Sequence, residues 1–344
     1  MNAHLRSTAI IAICMASCSN SDPAPSVSLG AGLQARTVTE VDALLQAAKD
    51  VQAAVPVPEA RGWDATADAE AISNAKNAWK RARIAYEHIE GVIAPLFPDI
   101  DAVLDERYDG FMEELTPKGD PDLFDDQGIT GMHAIERILF VKETRAAIIA
   151  HEQTTFKNTG YIAAAWPSTH EEALRFRDKL CGRLIKDIET LKSVWVPQNL
   201  DAEGAYDGLE GLVAEQREKI TNAASSQEES RYANFTLADL RANLEGVRNA
   251  FVVFETSIAR VAESKSTLAA IHAGFERLDA LYKQYPGDAI PEAPAGFEAE
   301  APTAEQLNTP FGKLWSGVQK EVDIANTAGL LSQVQKARPW ALRK

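Results

Sequence analysis

Residues 68–97, with the sequence DAEAISNAKNAWKRARIAYEHIEGVIAPLF, decide the fold class. Apolar side chains recur there every three or four positions, which is the spacing of one face of an α-helix. The same period returns in residues 180–195, 240–261 and 268–282, and no segment shows a sustained period of two. The sequence therefore predicts an all-α protein whose amphipathic helices bury their apolar faces against one another in bundles. The apolar positions of the first stretch are Ile72, Ala75, Trp79, Ala82, Tyr86, Ile89, Ile93 and Leu96.

Proline and glycine mark the breaks between these helical stretches, at residues 95–98, 117–128, 196–197 and 286–302. A boundary near Pro197 predicts two packed helical bundles, residues 37–197 and residues 198–340. Two start signals support the helix limits. Thr309 followed by Pro310 predicts an N-cap with proline at the first helical position, and Thr236 with Asp239 is an N-terminal signature similar to a capping box.

The N-terminus has the parts of a secretory signal peptide. Arg6 precedes an apolar run of residues 9–16, which is too short to span a bilayer because a spanning helix needs about 20 residues. Met15-Ala16-Ser17-Cys18 resembles a bacterial lipobox, whose cysteine is lipidated. The sequence therefore predicts a lipoprotein-type signal peptide over residues 1–17, a lipid anchor on Cys18, a flexible tether over residues 18–36, and location in the periplasm or cell envelope. The alternative is an ordinary cleaved signal with a chance cysteine.

Composition restricts the partners. The 344 residues carry a formal charge of -15, which argues against nucleic acid because phosphate backbones require a basic surface. Hydrophobic residues make up 45% of the chain, enough for a sizeable core. With Cys14 in the signal and Cys18 lipidated, Cys181 is the remaining thiol. An internal disulfide is therefore not expected, and the fold must depend on its core.

Two glutamates beside the first apolar stripe are the first candidate ligands. Glu87 and Glu90 are three residues apart, and Glu90 lies four residues after Tyr86, which belongs to that stripe. An unpaired carboxylate buried there would cost several kcal/mol. A bound cation, a neighbouring arginine or exposure to solvent would each remove that cost.

An acidic segment follows directly. Asp99, Asp101 and Asp105 alternate with apolar residues just beyond the glutamates. A chain that turns back at this point would bring Asp101 or Asp105 close to Glu87 and Glu90. The alternative role is helix N-capping by Asp99 or Asp101.

The third candidate is the segment Gly131-Met132-His133-Ala134-Ile135-Glu136. His133 and Glu136 lie on one helical face, and a histidine and a carboxylate at this spacing can chelate one ion. The alternative is a buried histidine that is hydrogen-bonded to a carboxylate.

Together these segments resemble the imelysin family. Residues 131–136 fit its GxHxxE signature, and residues 86–90 and 96–101 with Asp105 resemble the stretch that precedes this signature in the EfeO/EfeM branch. Residues 228–232 and 239–246 are similar to a further block of that branch. The resemblance covers about residues 37–338, with its blocks in the same order. No cupredoxin module is present, which matches the EfeM form.

The resemblance implies a double four-helix bundle and a role in iron acquisition, alongside an iron permease and the other components of an EfeUOB-like uptake system. It implies a carboxylate metal site and a signature pair; one extra residue between Glu90 and Asp105 leaves Asp101 as a competing ligand. An oxygen-rich set with one imidazole suits iron, as Fe²⁺ or Fe³⁺, while zinc, manganese and calcium stay open. The implied ligands are Glu87, Glu90, Asp105 and Glu229 for the carboxylate site, with His133 and Glu136 from the signature.

Metal binding has two alternatives. One is an imelysin-type metallopeptidase, but a zincin helix needs HExxH, and in this sequence His151-Glu152 is followed by Thr155 and His170-Glu171 by Leu174. Casein cleavage that depends on zinc and on Glu136 would reveal such an enzyme. A metal-free helical binding lipoprotein is the other alternative, and elemental analysis of the purified protein separates it from a metal-binding one.

Overall fold

The computed structural model describes residues 28–114, 120, 122–157, 160–195 and 200–343. Regular structure within these ranges is helical, with no strand, which confirms the all-α prediction. The α-helices are α1 (Leu29–Ala54), α2 (Ala69–Glu87), α3 (Glu90–Leu96), α4 (Pro98–Asp105), α5 (Tyr108–Glu114), α6 (Gly131–Leu139), α7 (Ala146–Thr155), α8 (His170–Arg175), α9 (Cys181–Trp195), α10 (Ala202–Asn222), α11 (Thr236–Ala259), α12 (Lys265–Tyr282), α13 (Ala304–Leu307), α14 (Pro310–Val322) and α15 (Leu330–Ala341).

Several predictions at the N-terminus and at the domain boundary fall outside the described residues. These are the signal peptide of residues 1–17, lipidation of Cys18 and the break at Pro197. The predicted tether of residues 18–36 was drawn too long, because α1 begins at Leu29 and already buries Leu33 in the core. Within the described ranges, no helix combines the length and the apolar character needed to cross a membrane.

The helices form two packed groups that share α11. In the first group, α1 packs along α2 and α9, and α11 lies against both α1 and α2. In the second group, α10 packs against α11, α14 and α15, while α12 packs on α11 and α15. The short helices α3, α4 and α6 lie between these elements, with α3 on α10 and α6 on α2 and α4. This central position is where the candidate ligands meet.

The long helix predicted over residues 68–97 is broken in the structure. Helix α2 ends at Glu87, and α3 begins at Glu90. The backbone of His88 lies directly against α11, where a Cβ on Gly246 would stand 2.4 Å from the His88 carbonyl oxygen. The break therefore places Glu87 and Glu90 at two adjoining helix ends that face α11.

The backbone conformation at residue 131 explains why the signature segment begins with glycine. Gly131 has a φ of +85°, and a Cβ there would lie 2.8 Å from the carbonyl oxygens of Val103 and Leu104. Only glycine adopts this conformation readily and allows so close an approach. The start of α6 therefore packs against the end of α4, which brings His133 next to Asp105.

Both predicted helix starts are observed, but only the first has a side-chain cap. Thr309 caps α14 by accepting a hydrogen bond of 3.0 Å from the Gly312 N–H, and Pro310 takes the first helical position. Helix α11 begins at Thr236 without a side-chain cap. The carboxylate of Asp239 lies instead 3.6 Å from the Arg83 guanidinium. The acid of the predicted N-terminal signature therefore lies beside a buried arginine instead of capping the helix.

Two glycines of α10 test how closely α3 and α10 approach. A Cβ on Gly208 would lie 2.1 Å from the Gly91 carbonyl oxygen, whereas a Cβ on Gly211 would meet nothing within 4 Å. Gly208→Ala should therefore destabilise the protein by about 1 to 3 kcal/mol through overpacking. Gly211→Ala should stabilise it by about 0.5 to 1 kcal/mol, because alanine favours the helix. Urea unfolding of both variants measures the pair, and equal effects would contradict the close contact.

Candidate metal site

The structure brings the predicted ligands into one largely buried network. Glu87 and Glu136 are fully buried, His133 is 1% exposed, and the Asp105 side chain is 13% exposed. The predicted ligands lie at the break between α2 and α3, on α4, on α6, and in residues 228–232, which precede α11. The network contains all seven candidates: Glu87, Glu90, Asp101, Asp105, His133, Glu136 and Glu229.

One ring nitrogen of His133 is hydrogen-bonded to Glu136, and the other faces Asp105. The Nδ1 atom of His133 lies 2.6 Å from a Glu136 carboxylate oxygen, and the second oxygen of Glu136 accepts a hydrogen bond of 2.8 Å from the Ala233 N–H. The Nε2 atom is buried and has no hydrogen-bond partner among the described residues. It lies 3.4 Å from the nearest Asp105 oxygen. Glu136 thus fixes the ring and leaves Nε2 directed toward Asp105.

Three side chains offer ligand atoms at metal-binding spacing. One carboxylate oxygen each from Asp105 and Glu229, together with a ring nitrogen of His133, lie within 4.8 Å of one another. We call Asp105, His133 and Glu229 the triad. Asp101, the competing ligand, instead accepts a hydrogen bond from the Tyr86 hydroxyl.

Arg83 lies at the centre of the network. Its guanidinium is fully buried, donates to Glu87 and Asp105, and lies 3.4 Å from Glu229. A neighbouring arginine was one of the remedies that the sequence left open for a buried Glu87, and the structure contains it. Burial lowers the pKa of Arg83, but the surrounding carboxylates outweigh this and raise that pKa above its ordinary value, so the group stays charged.

Lys219 is the second internal cation. Its Nζ lies 2.9 Å from both oxygens of Glu90, 2.8 Å from Glu229 and 3.6 Å from Glu87. Asn243 completes the cluster, because its amide nitrogen donates to Glu87 and Glu90 and its oxygen accepts from Lys219. Burial lowers the pKa of Lys219, but the carboxylates of Glu229 and Glu90 outweigh this and raise that pKa above its ordinary value, so the ammonium stays charged.

The remaining groups show how strongly acidic the network is. Burial raises the pKa of Asp101 and that of Asp239 to about 7. Burial also raises the pKa of Asp105, but the charges of Arg83 and His133 reverse this and hold it well below its usual range. Burial and the Arg83 charge lower the pKa of His133, yet the adjacent carboxylates of Asp105 and Glu136 raise it to about 9. The carboxyl groups still outnumber the basic groups, which leaves excess negative potential for a further cation.

A surface cavity opens beside the network. It has a volume of about 210 Å³ and is lined by residues that include Glu90, Lys219 and Glu229 of the network and two further acids of α10, Glu215 and Glu218. The cavity gives a path from solvent to the carboxylates of the network.

Neighbouring ion pairs hold the segment that carries Glu229. Arg231 pairs with Asp109, and the Tyr232 hydroxyl donates to Glu152, which also accepts a 3.0 Å hydrogen bond from Arg137. All of these side chains are at least half buried. They fix residues 228–232 against α5, α6 and α7, and so set the position of Glu229.

Sequence reasoning missed Arg83, Lys219, Asn243 and Asp239 as members of the network. A signal existed for two of them, since each occupies a position expected to be apolar. Arg83 lies four residues after Trp79, and Asn243 lies three residues after Leu240. A polar side chain on a buried stripe needs a partner, and in this network the partners are the glutamates.

A family model described as Imelysin matches residues 35–313 of the chain. No curated protein matches the chain.

Proposed function

The chain belongs to the imelysin family, and from this membership and the network around His133 we propose that it binds a metal ion as cargo, with iron as the favoured metal. The proposed setting is an iron uptake system of the cell envelope, with an iron permease and other uptake components as partners. The proposed lipid anchor is on Cys18.

One observation carries the metal-binding proposal. The His133 Nε2 atom is buried without a hydrogen-bond partner among the described residues, and it faces carboxylates of Asp105 and Glu229 at chelating distance. A ring nitrogen that makes no hydrogen bond and lies 3.4 Å from an Asp105 oxygen keeps a lone pair available for an ion. The bond from Glu136 to Nδ1 has the geometry that orients metal-binding histidines in carboxylate–histidine–metal arrangements.

Charge supports a metal of high positive charge. The network holds more carboxylates than Arg83, Lys219 and His133 can neutralise. Oxygen donors with one imidazole suit iron in either oxidation state, and the same donor types can also take manganese or zinc. A set of competing titrations is therefore needed to rank the metals.

We assign different roles to the candidate ligands. Asp105, His133 and Glu229 would contact the metal directly. Glu136 would orient His133, because both of its oxygens are already bonded within the protein. Glu87 and Glu90 would supply charge around the site through their bonds to Arg83, Lys219 and Asn243.

The proposal is tested by titrating the metal-free protein with Fe²⁺ under anaerobic conditions in a calorimeter. We expect one ion per chain for the wild type. Glu136→Gln should bind about 10- to 100-fold more weakly, because the amide oxygen cannot satisfy both His133 and the Ala233 N–H. Glu143→Gln, at an exposed pair with Lys76, is the matched control and should bind like the wild type. Absence of binding by the wild type to iron, manganese and zinc would refute the proposal.

A further inference from the structure

We propose that the Lys219 ammonium is a displaceable internal cation that closes the path from the surface cavity to the triad. A metal ion that reaches Glu229 would expel it from the carboxylates. This inference rests on the proposed metal site, and it concerns how that site is kept closed before the metal binds.

The first support is the way the ammonium is surrounded. Lys219 Nζ is held by oxygens of Glu90, Glu229 and Asn243 at 2.8 to 3.1 Å, with Glu87 at 3.6 Å. A positive centre enclosed by carboxylate and amide oxygens occupies the place that a hard metal ion would favour. The ammonium and an arriving metal would therefore compete for the same oxygens.

The second support is the position of Lys219 beside the surface cavity. Lys219, Glu90 and Glu229 all line the 210 Å³ cavity, and Glu229 is also a member of the triad. One oxygen of Glu229 contacts Lys219, and the other lies 3.4 Å from Arg83. An ion that enters from the cavity and binds the first of these oxygens would take it from the ammonium.

The third support is that Lys219 has an alternative carboxylate partner within reach, whereas Arg83 does not. Arg83 is fully buried and contacts four carboxylates. Lys219 has a flexible stem beside the cavity, and Glu215 lies four residues earlier on the same helix, within the cavity lining. The ammonium can therefore move from Glu90 and Glu229 toward Glu215 without leaving an unpaired charge.

The first test uses the wild-type protein and a lysine-acetylating reagent, with and without anaerobic Fe²⁺. Lys219 is enclosed before the metal binds, so we expect its acetylation to increase when Fe²⁺ is present. Lys283, an exposed lysine paired with Asp279, should be labelled equally in both samples. Peptide mass spectrometry measures both positions in one experiment.

The second test compares Fe²⁺ affinity in Lys219→Met and Lys219→Gln. Without a competing ammonium, we expect binding to tighten by about tenfold or more, which corresponds to about 1.4 kcal/mol. Lys283→Met is the control and should leave the affinity unchanged. The glutamine variant retains a hydrogen-bond donor to the carboxylates, so it serves if the methionine variant does not fold.

The outcomes separate the two proposals. If the wild type binds Fe²⁺ but neither variant binds more tightly, or if labelling of Lys219 does not rise, Lys219 is a fixed counter-ion and this inference is wrong while the metal site stands. If the wild type binds no metal, both proposals fail together. Tighter binding by the variants with increased labelling of Lys219 supports the displacement.

Discussion

Replacing Arg83 by methionine is expected to lower the free energy of unfolding of the metal-free protein by about 3 to 5 kcal/mol. The guanidinium is fully buried and pairs with Glu87, Asp105, Glu229 and Asp239. Methionine matches much of its volume but none of its charge, so these carboxylates would be left in a low-dielectric interior with Lys219 as the main remaining cation. The cost comes from the uncompensated charges, because the space itself stays filled.

Urea unfolding in the presence of a chelator measures this effect. Arg81→Met is the matched control, since Arg81 lies on the same helix but is 56% exposed and pairs with Asp50 at the surface. Exposed pairs of this kind contribute about 0 to 1 kcal/mol. If the two variants lose equal stability, the buried network does not depend on Arg83.

Removing two of the triad carboxylates together, as Asp105→Asn with Glu229→Gln, is expected to weaken Fe²⁺ binding by more than about 100-fold. Loss of a residue that only orients a ligand already costs about 10- to 100-fold, and these changes remove two proposed ligands themselves. Both substitutions keep the size of the side chain, so helicity measured by circular dichroism should be retained. Anaerobic calorimetry gives the affinity.

Asp101→Asn is the control that decides between Asp101 and Asp105, the two candidate ligands on α4. Asp101 bonds to Tyr86 and lies outside the triad, so its amide variant should bind Fe²⁺ like the wild type. Unchanged binding by the triad variant, or a large loss in Asp101→Asn, would move the site away from Asp105 and Glu229.

Much of the fold followed from the period of the apolar residues, because that period depends on helix geometry alone. Trp79, Tyr86, Leu244 and Phe251 are all buried where the stripes predicted. The break after Glu87 was not predictable in the same way. It lies where α11 approaches through Gly246, a contact between parts of the chain far apart in sequence.

The sequence predicts the acids and the histidine of the candidate site but not its cations. Short-range spacing shows that Glu87 and Glu90 lie beside a core, but it cannot show which charge reaches them. Arg83 compensates Glu87 from one turn away, and Lys219 comes from a different helix altogether. The sequence leaves open an arginine as the partner of a buried glutamate, but nothing near the glutamates in the sequence indicates a lysine from α10.

The triad is assembled from α4, α6 and the segment before α11, so no short piece of the chain contains the whole chelate. An extended polypeptide, such as one crossing a membrane during export, therefore offers the ion no multidentate pocket. Under the proposed metal binding, loading would follow folding, in whichever compartment the folded protein first meets the ion. The ion that a cell supplies there, rather than the one most abundant where the chain is synthesised, would then decide what the protein carries.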